Sequence, residues 1–145
     1  MIHLTSLALA ALTTATASDL HTRDLQGTPV TVESESTMMV FWSMHSGYSR
    51  EILDDVQRLS DHGLRVITIN TDAASESSQV RAYVRSQDLD LPVLLDTDGS
   101  IRETFQVQDG PGLLLMVTGD EPAVHRWQGL DATHHALTLA ERLTP

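Results

Sequence analysis

Two serines three positions apart follow an apolar stretch in residues 41–51, FWSMHSGYSRE. Ser46 and Ser49 carry hydroxyls, and His45 stands beside the first, so the group offers a nucleophile and a base for acyl transfer. Neighbouring residues at a turn seldom aim at each other, however, and the chain has no G-x-S-x-G motif. No third residue that would orient the histidine can be identified. We therefore do not expect a serine hydrolase.

A second group of chemistry-bearing residues consists of histidine and methionine. Met44 precedes His45 in the serine segment, and His134 precedes His135 near the end of the chain. Consecutive residues on a helix point about 100° apart, whereas paired metal ligands converge at positions i and i+4. The sequence therefore predicts solvated histidines, with no metal site and no cofactor.

The elements that position the two serines can be predicted from hydrophobic patterning. Met38 to Trp42 is a continuous apolar run, which is typical of a strand buried on both faces. Ser49 to His62 has apolar residues at helical spacing and ends before Gly63, which predicts a helix with a glycine stop. We expect the serine pair between a central strand and the first long helix.

Strands and helices alternate along the rest of the chain. Asp19 to Leu25 and Val30 to Val32 are expected to pair as an N-terminal hairpin. Asp96 and Asp98 suit a turn and need no catalytic explanation. The later predicted elements are a strand at 64–70, a helix at 75–87, a strand at 91–95, a brief helix or turn at 101–105, strands at 113–117 and 123–127, and a final helix capped by Asp131. This order predicts an α/β fold whose mixed central sheet is flanked by helices on both faces.

Composition limits the size and the partners of the protein. The 145 residues, 41% of them hydrophobic, fit one ordinary domain. Twenty acidic residues against nine basic ones give a formal net charge of −11. Nucleic acid and anionic membrane surfaces are therefore disfavoured partners. The chain contains no cysteine, which excludes disulfides, thiolate metal sites and cysteine nucleophiles.

The first seventeen residues, MIHLTSLALAALTTATA, contain no Asp, Glu, Lys or Arg and end in a small-x-small triplet. Such a run is short for a membrane span and is typical of a cleavable secretory leader. His3 stands where a basic residue is usual, so an ordinary N-terminal helix is the alternative. We expect a signal peptide at 1–17 and one domain at 18–145. The mature protein would be secreted or periplasmic, without a membrane span.

Several motifs in this order resemble one family. Between residues 19 and 145 the chain has a strand ending in Phe41-Trp42, a VITIN strand, the stretch PVLLDTDGSI, a Gly-Pro-Gly step and the closing LLLMVTGDEPAVHRWQGLD. This succession resembles the secreted thioredoxin-like thiol-disulfide oxidoreductases of the TlpA and ResA group. The resemblance implies a thioredoxin-like fold with an N-terminal β-hairpin extension.

In the family pattern, Ser46-Gly47-Tyr48-Ser49 occupies the place of the Cys-x-x-Cys motif, as a CGYC with oxygen in place of sulfur. The family's first sulfur sits at a helix N-terminus, which lowers its pKa and makes it an attacking thiolate. A serine hydroxyl loses its proton many pH units higher and forms no stable oxygen analogue of a disulfide. Val40 also stands where redox-active members often keep a polar residue. The resemblance thus implies the fold without its redox chemistry and leaves Ser46 to cap the helix.

Pro111 falls where the family carries a cis-proline opposite the active-site loop. A cis bond there would leave the backbone of Gly110 free to pair with an extended peptide. The resemblance therefore implies a substrate-binding groove bordered by Trp42, His45, Tyr48, Gly110 and Pro111. The alternatives are a plain glycine-flanked turn, core packing for Trp42 and simple surface exposure for His45.

Two functions are compatible with this resemblance. The chain can be a redox-inactive thioredoxin-like protein that binds a peptide or a protein partner, including a redox partner, through the groove. Alternatively, its native form is a thiol-disulfide oxidoreductase with cysteine at positions 46 and 49, seen here as a Cys-to-Ser form. The retained leader favours an unmodified sequence and hence the first function.

Overall fold

A computed structural model describes residues 21–31, 36–47, 49–61, 63–107, 112–117 and 123–128, together with Thr138 and Arg142. Within these ranges the elements are β1 (His21–Arg23), β2 (Pro29–Thr31), β3 (Thr37–Trp42), α1 (Ser49–Asp61), β4 (Arg65–Asn70), a 3₁₀ helix (Ala74–Glu76), α2 (Ser77–Ser86), β5 (Val93–Leu95), α3 (Ser100–Phe105), β6 (Gly112–Val117) and β7 (Ala123–Gln128).

The main sheet has five strands in the order β5-β4-β3-β6-β7, with β3 at its centre. β3 runs parallel to β4, and β4 runs parallel to β5. Parallel neighbours need crossover connections, which contain α1 and α2. β6 runs antiparallel to both β3 and β7, and β1 and β2 form a separate antiparallel pair. The predicted mixed sheet and N-terminal hairpin are confirmed.

The central strand β3 is buried from Thr37 to Trp42 because both faces of the sheet are covered. Successive side chains of a strand point to opposite faces. On one face Phe41 lies in an apolar cluster with Phe105 of α3. On the other face Val40 lies in a cluster with Ile52 of α1. The continuous apolar run in the sequence thus corresponds to a strand between two layers of helices, as predicted.

Element boundaries differ from the predicted ones by a few residues. The predicted helix at 75–87 starts as the 3₁₀ helix and becomes α-helical at Ser77. The predicted strand at 91–95 begins only at Val93, because Pro92 has no N–H to donate to a ladder.

The predicted final helix and its cap Asp131 lie outside the described residues, apart from Thr138 and Arg142, as does the expected leader. None of the helices in the described part of the chain has the length and apolarity of a membrane span.

A buried carboxylate fixes the start of α3. Asp96 follows β5 and accepts hydrogen bonds from the backbone N–H groups of Ile101 at 2.8 Å and Arg102 at 3.0 Å. The first N–H groups of a helix have no partner within the helix, so this carboxylate satisfies two of them and complements the helix dipole. Gly99, with φ at 75°, supplies the left-handed residue that turns the chain into α3. The predicted turn is therefore also a structural anchor.

The substitution Asp96→Asn tests this anchor. It keeps the shape but replaces one acceptor oxygen by an NH2 group that faces a backbone donor. We expect the free energy of unfolding to fall by about 1–3 kcal/mol in urea denaturation followed by circular dichroism. Glu103→Gln removes one exposed charge from the same helix and should change stability by less than about 0.5 kcal/mol. Equal stability of the two variants would contradict the anchoring role.

Candidate functional site

The loop between β3 and α1, residues 43–47, carries the first serine of the pair. Ser46 is half-buried and Gly47 is exposed. The Ser46 N–H donates to the carbonyl oxygen of Ser43 at 3.2 Å, which closes a turn directly after β3. The helix α1 then begins at Ser49. The pair thus lies between the central strand and the first long helix, while the capping bond expected for the Ser46 hydroxyl stays a prediction.

The end of β4 lies beside this loop because of the strand register. Trp42, the last residue of β3, pairs with Asn70, the last residue of β4. The pairing continues for one more residue, since the Thr71 N–H donates to the Trp42 carbonyl oxygen at 2.9 Å. The residues that follow the two strands therefore meet at one edge of the sheet, as the carboxyl ends of parallel neighbours do in open α/β sheets.

The carboxylate of Asp72 connects the two segments at this edge. Its Oδ1 accepts a hydrogen bond from the Ser43 hydroxyl at 2.5 Å, and its Oδ2 accepts one from the Met44 N–H at 3.0 Å. Asn70 donates from Nδ2 to Oδ2 at 2.9 Å and accepts the Asp72 N–H at 3.0 Å. The Asp72 side chain is only 4% exposed. We call these four residues, Ser43, Met44, Asn70 and Asp72, the Asp72 clamp.

These bonds determine the ionisation of the clamp. Burial by itself raises the pKa of Asp72. The hydrogen bonds from Ser43, Met44 and Asn70, with the nearby charge of His45, outweigh burial and hold this pKa below its ordinary value. Asp72 is therefore a carboxylate at neutral pH. Because folding lowers its pKa, its contribution to stability is present above the unfolded-state pKa and is lost as pH falls through the folded-state value.

His45 forms the exposed side of the same region. Its side chain is 67% exposed, and its Nε2 lies 2.5 Å from Oε2 of Glu76 in the 3₁₀ helix and 4.0 Å from Oδ1 of Asp72. The hydrogen bond to Glu76, followed by the negative charge of Glu76, raises the pKa of His45 above its ordinary value of 6.5. The protonated pair links the serine-bearing loop to the segment after β4.

Trp42 fills the core below the loop. Its side chain is 1% exposed, and its ring lies 5.5 Å from that of Tyr83, centroid to centroid. It shares an apolar cluster with Leu53 of α1 and Val80 of α2. Its indole N–H finds no hydrogen-bond partner within the described part of the chain. A contact between Trp42 and a peptide in the expected groove stays a prediction.

The remaining predicted groove residues lie outside the described residues. These are Tyr48, Gly110 and Pro111, so the groove and the cis peptide bond stay predictions. Conversely, sequence reasoning did not identify Ser43, Asp72 or Glu76. Ser43 directly follows β3 and Asp72 lies two residues after the end of β4, and this position after neighbouring parallel strands was the signal that could have indicated them.

Comparisons with known proteins identify the fold of this chain but do not assign it to a family. No protein-family model matches the sequence, and no curated protein matches it. Solved structures match nearly the whole chain. A secreted disulfide oxidoreductase of Mycobacterium tuberculosis, homologous to E. coli DsbE, has a TM-score of 0.68 at 12% identity, over 85% of this chain and 95% of that one. The exposed lipoprotein thioredoxin of Streptococcus pneumoniae matches with a TM-score of 0.67 and 18% sequence identity. The match covers 84% of this chain and 99% of that one. StoA from Bacillus subtilis matches with a TM-score of 0.65 and 14% sequence identity, over 82% of this chain and 93% of that one.

This chain has a thioredoxin-like fold. The fold implied by the sequence motifs is therefore confirmed, including the mixed sheet centred on β3. At these identities the likeness concerns the fold alone. In this scaffold Ser46 lies in the loop before α1 and Ser49 begins the helix, and the chain contains no cysteine.

A nuclear magnetic resonance titration of His45 tests the pair with Glu76. The protein is first treated with a chelator so that no bound metal ion affects the ring. We expect the pKa of His45 to lie above its ordinary value of 6.5 in the unchanged protein and closer to that value in Glu76→Gln. Because folding raises this pKa, the pair stabilises the fold below the unfolded-state pKa, and that contribution disappears as pH rises through the folded-state value. Glu103→Gln is the matched control. An identical His45 titration in Glu76→Gln and the unchanged protein would contradict the pairing.

Proposed function

We propose that this chain is a redox-inactive thioredoxin-like protein that binds an extended segment of a peptide or protein partner outside the cytoplasm. Binding would use the serine groove, by which we mean the surface bordered by His45, Tyr48, Gly110 and Pro111, while the buried Trp42 supports the loop from the core. The observation that carries the proposal is a thioredoxin-like fold in which Ser46 precedes α1 and Ser49 begins it, in a chain without cysteine.

Chemistry supports redox inactivity. Thiol-disulfide exchange requires a thiolate that attacks a disulfide sulfur and a second thiol that resolves the mixed disulfide. Ser46 and Ser49 offer hydroxyls instead. A helix N-terminus stabilises a negative charge by about 0.3–1 kcal/mol, which is less than one pKa unit. That effect is far too small to ionise a hydroxyl at neutral pH. Val40, at the position where redox-active members often keep a polar residue, is buried in an apolar cluster and offers no group for proton transfer.

The strand register supports a binding groove at the same edge. Phe41, near the end of β3, pairs with Gly112, the first residue of β6. Pro111 precedes Gly112 in the chain, so a proline turn there would face the loop that follows β3. The Asp72 clamp holds this loop in one conformation, which lowers the entropy lost when a peptide binds. A peptide would pair with the backbone of Gly110 by strand addition, which needs no sulfur.

Two observations support an extracytoplasmic location. The solved structures with this fold include a protein described as secreted and another described as an exposed lipoprotein. Residues 1–17 form the uncharged apolar run typical of a leader. We include in the proposal that this leader is removed and that the domain at 18–145 works outside the cytoplasm.

An array of extended synthetic peptides tests the binding function. We expect the protein to retain a subset of them. Gly110→Val places a side chain where a peptide backbone would pair, and Tyr48→Glu adds a charge that opposes apolar contact. Each should weaken retention at least about tenfold, equivalent to about 1.4 kcal/mol. Gln26→Glu changes an exposed residue of the β1–β2 turn and should leave retention unchanged. Circular dichroism verifies the fold of each variant.

Insulin reduction by dithiothreitol, measured on the same samples, provides the redox control. The protein should leave the rate at its uncatalysed value. Unchanged peptide retention in both groove variants would contradict the proposal. A protein that retains no peptide, together with rapid insulin reduction by the variant carrying Ser46→Cys and Ser49→Cys, would favour the oxidoreductase alternative instead.

A further inference from the structure

Three atoms that can bind a metal ion lie close together beside the serine-bearing loop. Nε2 of His45, a carboxylate oxygen of Asp72 and a carboxylate oxygen of Glu76 all lie within 4.8 Å of one another. They come from three segments, namely the loop after β3, the residues after β4 and the 3₁₀ helix. We propose that His45, Asp72 and Glu76 form a binding site for one divalent transition-metal ion such as zinc.

The distances fit such an ion after a small rotation of exposed side chains. Zinc bonds to histidine nitrogen and carboxylate oxygen are about 2.0–2.2 Å long, so two ligand atoms of a tetrahedral site lie about 3.3–3.6 Å apart. The distances from His45 Nε2 are 2.5 Å to Glu76 and 4.0 Å to Asp72, one shorter and one longer than this value. His45 and Glu76 are 67% and 29% exposed, so both side chains can adjust without a backbone shift.

Asp72 distinguishes this group from an ordinary surface ion pair. Its buried carboxylate is oriented by hydrogen bonds from Ser43, Met44 and Asn70. Outer hydrogen bonds of this kind orient metal-binding carboxylates and raise the affinity of a site. Within the described part of the chain, Oδ1 accepts one hydrogen bond, from Ser43. A carboxylate oxygen has two lone pairs, so one remains for an ion.

Charge and ligand type indicate the class of metal. Two carboxylates and a neutral imidazole carry a charge of −2, which one divalent ion neutralises. Imidazole suits zinc, copper and nickel, whereas calcium and magnesium prefer oxygen ligands throughout. The exposed ring of His45 leaves a side of the site open to water as a fourth ligand. Binding releases the His45 proton to solvent, so affinity should fall at lower pH.

The sequence predicts no metal site, because that interpretation considered only neighbours along the chain and spacing within one helix. The three ligands belong to different elements, and His45 and Glu76 are 31 positions apart. Their proximity depends on the pairing of β3 with β4 and on the 3₁₀ helix that follows.

Zinc titration of the chelator-treated full chain tests the site. Isothermal calorimetry, with a chromophoric chelator as competitor, should show one ion per chain at micromolar zinc and none with magnesium. His45→Ala and Glu76→Gln should each weaken zinc binding at least about tenfold. Zinc should also raise the unfolding temperature of the unchanged protein but not of His45→Ala, because an ion that binds only the folded state stabilises it. These two substitutions lie on exposed or half-exposed side chains, so they should preserve the fold.

The control is a double variant, His134→Ala with His135→Ala, which should bind zinc like the unchanged protein. Absence of stoichiometric binding at micromolar zinc would overturn the proposal. So would unaltered zinc affinity in both His45→Ala and Glu76→Gln, and loss of binding in the double control would place the zinc site at His134 and His135 instead. The titration contains no peptide, so the zinc site and the peptide-binding function can fail independently.

Discussion

The hydrogen bonds of the Asp72 carboxylate are the constraint on which the candidate site depends. An ionised carboxylate is costly to bury unless hydrogen bonds compensate for the water that it loses. Here three donors from two segments surround it. Hydrogen bonds to a charged group contribute about 1.5–3 kcal/mol each, so together they can offset the desolvation. The result is a short polar connection at the edge of an otherwise apolar sheet, and it fixes the backbone from which Ser46 and His45 project.

This hydrogen-bonded connection suits a chain that has a thioredoxin-like fold but no cysteine. A thioredoxin-like chain with cysteines can close its loop by a disulfide, whereas this chain has none. Its loop geometry must come from noncovalent contacts. Asp72 provides them on the buried side, and the pair of His45 with Glu76 adds an exposed, pH-dependent contact. The proposed peptide groove and the proposed metal site use this fixed edge in different ways, the first through backbone pairing and the second through side-chain ligands.

The sequence predicted the scaffold better than the site, for physical reasons. The strand β3 and the helix α1 each have their pattern within a short window, because burial imposes local periodicity. The mixture of parallel and antiparallel strands followed from the lengths of their connections. Asp72 belongs to no local periodic pattern of this kind, because its partner Ser43 is 29 positions away. Asp96 was predicted in a turn, but its burial under α3 depends on how β5 pairs in the sheet. Tertiary pairing, which no local pattern contains, determined both roles.

The central claim is that Asp72 holds the loop after β3 in place of any covalent link. Amide hydrogen exchange of Met44, measured in the unchanged protein and in Asp72→Asn, tests this most directly. The account predicts that the Met44 N–H is protected in the unchanged protein. It also predicts that this N–H exchanges at least about tenfold faster in the variant, a loss of about 1.4 kcal/mol, while Val40 in the middle of β3 is unaffected. Equal exchange of Met44 in the two proteins, or rapid exchange in both, would contradict it.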